Sequence, residues 1–132
     1  MLPARLFLAF TGIMLLPYGL VCFYDPALPA SYFGVSLGES GGPVEFMAMY
    51  GGLQAAIGLY CLRGAISKSY TLESVRVAVF IFAGLGFARL AGLIHVGLDD
   101  YNLWASCYEL GSFVLAFITH RRAKSVYFSD KL

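Results

Sequence analysis

The sequence predicts an all-α, polytopic membrane protein: a bundle of four transmembrane helices with both termini in the cytoplasm. Three observations carry this. First, 59% of the 132 residues are hydrophobic and 13% are charged, against about 25% charged in soluble chains; the mean hydropathy is +0.73. Second, the apolar residues gather in four runs, at about 6–24, 44–62, 77–97 and 103–119. Each run is close to the ~20 residues that cross roughly 30 Å of hydrocarbon at ~1.5 Å per residue. Third, eight of the nine Lys and Arg residues fall at the N-terminus, in the connector 63–76 or after the last run, and none falls in the stretches 25–43 and 98–102. The positive-inside rule then puts both termini inside and both acidic loops outside, and opposes insertion in both orientations. The expected location is the inner membrane, multi-pass, as a single integral domain over residues 1–132.

The first run, LFLAFTGIMLLPYGLVCFY, exceeds the 7–15 apolar residues of a signal peptide, and no Ala-x-Ala site follows it. Pro17 removes a backbone donor and should kink this helix. Asp25-Pro26 stops it, because the residue before proline is pushed out of the helical region. The stretch ALPASYFGVSLGESGGP is rich in Pro, Gly and Ser and reads as a loop, with a short interfacial helix across 29–33.

The second run, VEFMAMYGGLQAAIGLYCL, leads into a polar connector from Arg63 to Arg76, with an imperfect capping box at Thr71–Ser74. The third, VAVFIFAGLGFARLAGLIHVG, holds one arginine, Arg89, and one histidine, His95. The turn Asp99-Asp100-Tyr101-Asn102 follows, where Asp and Asn side chains can bond their own backbone. Trp104 and Tyr108 sit at the start of the fourth run, as an aromatic belt would. His120-Arg121-Arg122-Ala123-Lys124 ends it, and a short, polar, mobile tail is expected to Leu132.

An arginine inside a membrane span costs roughly 2.5–3.5 kcal/mol, so a partner is expected. Arg89 lies about 12 Å and Glu109 about 9 Å inside the outer boundary, on sequence-adjacent antiparallel helices. They should pair. Two readings of such a pair stay open: a structural lock that fixes helix packing, and a functional site. Glu45 and Glu109 against Arg89 leave a surplus negative charge, which would favour a protonated carboxyl or a charged His95. His95 stands four residues before Asp99, a spacing that permits a hydrogen bond. As the one histidine within the spans, it reads as an interfacial hydrogen-bonding residue before a ligand or a base. Tyr50 and Gln54 share a helix face and either bond across helices or line a polar pocket. Gly84, Ala88 and Gly92, like Gly51/Ala55 and Gly52/Ala56, form small-xxx-small rows that suit close intramolecular packing.

The candidate cluster is therefore Glu45, Tyr50, Gln54, Arg89, His95, Asp99 and Glu109. Cys22, Cys61 and Cys107 are odd in number and lack metal-like spacing; each lies in an apolar run, where free cysteine behaves as a small hydrophobe. A Cys22–Cys107 disulfide is open by depth, although the unpaired thiol is the ordinary case. No metal site, cofactor motif, phosphate loop or nucleophile elbow is visible, and no basic stripe points to nucleic acid. That lowers the weight of an enzyme.

Tyr50-Gly51-Gly52-Leu53-Gln54, Arg89-x-x-Gly92, the acidic turn at Asp99 and Glu109 together resemble domain-of-unknown-function family 4345, small bacterial integral membrane proteins of four helices. That pattern has glycine after the turn acid, where this chain has Asp100. The resemblance implies the fold and the polar positions, and it implies no activity. The leading expectation is a non-enzymatic module, embedded in membrane lipid, that binds an apolar small molecule or a membrane protein partner. The alternatives are an oligomeric proton-coupled transporter and an intramembrane acid–base enzyme acting on a lipid-like substrate.

Overall fold

The structure is a computed structural model that describes residues 1–129. Of these, 88% are helical and none lies in a strand. The order is α1 (Leu2–Tyr24), α2 (Ala27–Tyr32), α3 (Gly41–Phe46), a π-helical segment (Met47–Gly52), α4 (Leu53–Ile66), α5 (Lys68–Val96) and α6 (Asp100–Ser129). Among the described residues, two helices are long and apolar enough to cross a membrane: α1 and α5, with mean hydropathies of 2.1 and 2.2. The sequence suggests four. The second apolar run is divided by the π segment, which leaves α4 only 14 residues. The fourth is diluted by Asp100, Glu109 and the basic stretch from His120.

Two further boundaries differ from the expected ones, for a common reason. Apolar runs mark where a helix can meet a nonpolar environment, whereas the helices themselves continue into polar sequence. Helix α5 begins at Lys68 and not near Val77, so much of the supposed connector is helical. The capping box at Thr71 is not a cap: Thr71 lies inside α5, and its hydroxyl donates to the Gly64 carbonyl at 2.8 Å. Helix α6 runs ten residues past Thr119, so the expected mobile tail is helical to Ser129; the rest of that tail, with Lys131, lies outside the described residues.

The chain forms two compact units, one of Ala9–Leu62 and one of Met1–Leu8 with the residues from Arg63 onward. In the first, Cys22, Ala30 and Phe46 form a buried core, flanked by Tyr18, Phe33 and Leu37. The Phe46 and Tyr50 rings stack at 4.4 Å across the start of the π segment. Glycines let the backbones of this unit meet. A Cβ placed on Gly19 would stand 2.5 Å from the Ala55 nitrogen, and one on Gly58 would stand 2.6 Å from the Leu16 nitrogen.

In the second unit, α5 and α6 form an antiparallel hairpin. Ala78, Phe82 and Ala116 are its buried core, with Phe7, Val79 and Phe113 packed on them. A Cβ on Gly86 would meet the Leu110 side chain at 2.7 Å, so glycine brings the two helices together there. At the other end Arg5 donates through Nε to the Ala65 carbonyl (2.7 Å), occupying a C-terminal acceptor of α4. The Arg63 guanidinium lies 3.6 Å from the centre of the Tyr70 ring. All three cysteines are free, with Cys22 and Cys61 buried and Cys107 exposed.

Candidate functional site

The polar centre of the second unit is built where α5 ends and α6 begins. Gly97 stops α5 with φ +116°, in the left-handed half of backbone space that a side chain rarely enters. The chain then turns within three residues. Asp99 caps α6: its Oδ1 accepts from the Asn102 backbone N–H at 2.9 Å, the bond that satisfies an otherwise orphaned donor in the first turn. Its Oδ2 accepts from the Asn102 side-chain amide at 2.8 Å. These two bonds, backbone first, hold the Asp99 carboxyl below the ordinary carboxylate range.

Asn102 passes the connection inward, because its Oδ1 accepts from Arg89 Nη1 at 2.6 Å. Arg89 also binds Glu109 in fork-to-fork fashion: Nε donates to Oε2 at 2.8 Å and Nη2 to Oε1 at 2.7 Å. Planar, two-point pairing of this kind fixes orientation as well as charge. The Glu109 side chain is 8% exposed and that of Arg89 26%. Burying a carboxylate this far from solvent is costly without such a partner. The result is one continuous chain of groups, Glu109–Arg89–Asn102–Asp99, that runs from the interior of the hairpin to its surface.

Beside this chain lies a cavity of about 370 Å³, open on one side, along the last three turns of α5. Gly84, Ala88, Gly92, Leu93 and Val96 form much of its wall, and Arg89, Asp99 and Asn102 form its polar end. The small-residue row on α5 was expected to be a packing seam. It is instead the floor of this cavity: nothing lies within 4 Å of a Cβ placed on Gly84 or Gly92. The reason is geometric, since the α5 face that packs on α6 is the one bearing Gly86, two residues and about 200° around the helix.

Of the seven candidate residues, Arg89, Asp99 and Glu109 come together. His95 does not join them. It is exposed near the end of α5, and the expected His95–Asp99 bond is replaced by the two bonds from Asn102, because α5 ends at Val96 and takes Asp99 off the i, i+4 position. Glu45, Tyr50 and Gln54 belong to the other unit. Glu45 is exposed, so the surplus buried carboxylate it was expected to supply is not there. Tyr50 is engaged in its ring stack, and Gln54 Oε1 is buried without a partner, so the Tyr50 hydroxyl does not reach it.

Asn102 is the residue that sequence reasoning missed. Its signal was present as Asp99-x-x-Asn102 at the head of an apolar run, the spacing of an N-cap and its third helical residue. Ser106 Oγ and His120 Nδ1 are further buried polar atoms without a partner. Burial and the positive charges of Arg76 and Lys124 push the His120 imidazole below its ordinary value. Among the described residues no three His, Cys, Asp or Glu side chains converge as metal ligands would. The family described as Domain of unknown function (DUF4345) matches residues 3–120, and the chain belongs to that family. No curated protein and no solved structure matches the chain.

Proposed function

We propose that this member of the DUF4345 family is a multi-pass inner-membrane protein that holds an apolar small molecule, without transforming it, in the cavity along α5. In this reading the whole chain is one integral domain with four spans, the second running from α3 through α4 and the fourth within α6, and both termini are cytoplasmic. Support for the membrane comes from the surfaces of α1 and α5. Their apolar windows are only 28% and 22% buried, whereas the core helix of a soluble protein would hide most of such a window. Leu6, Phe10, Ile13, Phe80, Phe87 and Ile94 all stand more than half exposed, an apolar surface that suits lipid contact. The eight-to-zero distribution of Lys and Arg supports the orientation.

The observation that carries the binding reading is the cavity itself: apolar along its length, polar at one end, and floored by glycines. Its volume lies at the small end of the ~300–1,000 Å³ typical of small-molecule sites. The test is extraction of the protein in its native lipid, followed by mass spectrometry of everything that accompanies it. A stoichiometric small molecule, lost from Gly92→Phe protein that still folds, is the expected result. Absence of any Gly92-dependent molecule would sink the reading. The open row Gly84, Ala88 and Gly92 favours one second reading, a partner helix lying on that face. A stoichiometric protein in place of the small molecule would establish it.

A further inference from the structure

We infer that the α5 cavity selects a head group that donates hydrogen bonds and carries no negative charge, such as an alcohol or an amine, and that it rejects carboxylates. This rests on the small-molecule reading above and adds a charge rule to it. An arginine in an apolar cavity ordinarily suggests an anionic ligand. Here that expectation fails on the charge count. The Arg89 guanidinium is already neutralised by Glu109 at two points and engages Asn102 at a third. What remains charged among the lining residues is Asp99.

The other sources of charge near the mouth do not reverse this. Helix α5 ends there and α6 begins there, so the partial negative charge of one terminus offsets the partial positive charge of the other. Next to these in the chain stand Asp100, which adds to the negative side, and His95, whose single charge would offset no more than one of the two carboxylates. The mouth therefore carries a net charge of about −1 or below. Asp99 also retains acceptor capacity. Two carboxylate oxygens offer about four lone-pair sites, and the donors to them are the two groups of Asn102 and the Tyr101 backbone. A hydroxyl or ammonium group fits that vacancy. A carboxylate meets repulsion.

The experiment compares three probes with one saturated 14-carbon chain, tetradecanol, tetradecylamine and tetradecanoic acid, added in equal amounts to the full-length protein in neutral detergent at pH 7. Native mass spectrometry reads the adducts. The expected result is alcohol and amine adducts about fivefold or more above the acid, since ~1 kcal/mol of surface repulsion corresponds to that ratio. All three should be lost in Gly92→Phe, whose side chain fills the cavity. Asp99→Asn keeps a competent helix cap and should bring the acid to within about twofold of the alcohol. Acid adducts equal to or above the others, still lost in Gly92→Phe, would overturn the charge rule and leave the cavity as a binding site. Discrimination unchanged in Asp99→Asn would overturn the role given to that residue. Adducts indifferent to Gly92→Phe, or none, would overturn the binding reading and the charge rule with it.

Discussion

The two units use the same sequence device and reach opposite outcomes. In the Ala9–Leu62 unit, Gly12 and Gly19 on α1 face a helical run that carries Gly51 and Gly58, so each side offers a glycine at the same seven-residue spacing. Placed Cβ atoms there would stand 2.5–2.9 Å from backbone atoms of the other helix. In the hairpin unit, Gly84, Ala88 and Gly92 form an equally regular row that faces open space. A row of small residues permits close approach. It takes a complementary row on the neighbour to make the approach happen. The closed seam therefore reads as packing and the open one as a place for something else.

The largest test of this contrast is to fill both rows. Gly19→Leu forces a side chain into the backbone of the facing helix and should cost about 3 kcal/mol or more, seen as a large fall in thermal unfolding temperature in detergent. Gly92→Leu should leave that temperature within a few degrees and abolish retention of the small molecule proposed above. Equal destabilisation by the two would erase the distinction. Comparable in size is the charged pair. Arg89→Leu alone leaves Glu109 enclosed without a counter-ion and should cost roughly 3–5 kcal/mol, whereas Arg89→Leu with Glu109→Leu should recover much of that loss. Additive losses in the double variant would remove the case for direct coupling.

Asn102→Ala comes third. It strips a hydrogen bond from a charged guanidinium and one from the Asp99 carboxylate, at about 1.5–3 kcal/mol for the pair of contacts; calorimetry of the purified variant measures it. The smallest effect concerns Asp99. Its folded-state pKa is depressed by the Asn102 bonds, so its contribution to stability is full above the unfolded value and is lost as pH falls through the folded one. Asp99→Asn should flatten that acid limb of the stability profile and lower stability near neutrality, where the carboxylate's contribution is full. An unaltered acid limb would show that the cap bonds carry no linkage.

The sequence made the helices legible where they are apolar, and silent where they are not. Lys68–Arg76 and His120–Ser129 are helical although they are rich in Lys, Arg and Ser, and hydropathy has no means of seeing a helix that continues past its apolar stretch. The pairing of Arg89 with Glu109 was legible because two charges of opposite sign shared a depth on consecutive helices. Asn102 was legible only as part of a turn, since its reach to Arg89 depends on where α6 starts. The π segment was illegible altogether, because Met47–Gly52 carries no distinctive sequence pattern. The open cavity was the costliest omission, because the same small-residue spacing serves a seam and a floor equally well.

Arg89 and Glu109 lie 20 residues apart in the chain, and that separation has a consequence for biogenesis. During synthesis the arginine emerges ahead of its counter-ion, on a helix that the proposed function places in lipid. Entering alone, it would carry a penalty of roughly 2.5–3.5 kcal/mol until its carboxylate followed. Asp99 and Asn102 precede Glu109 in the chain, so the Asn102 contact to Arg89 becomes available before the Glu109 pair. If the hairpin enters a membrane as proposed, it would close from its turn toward its open end, masking the Arg89 charge one hydrogen bond at a time.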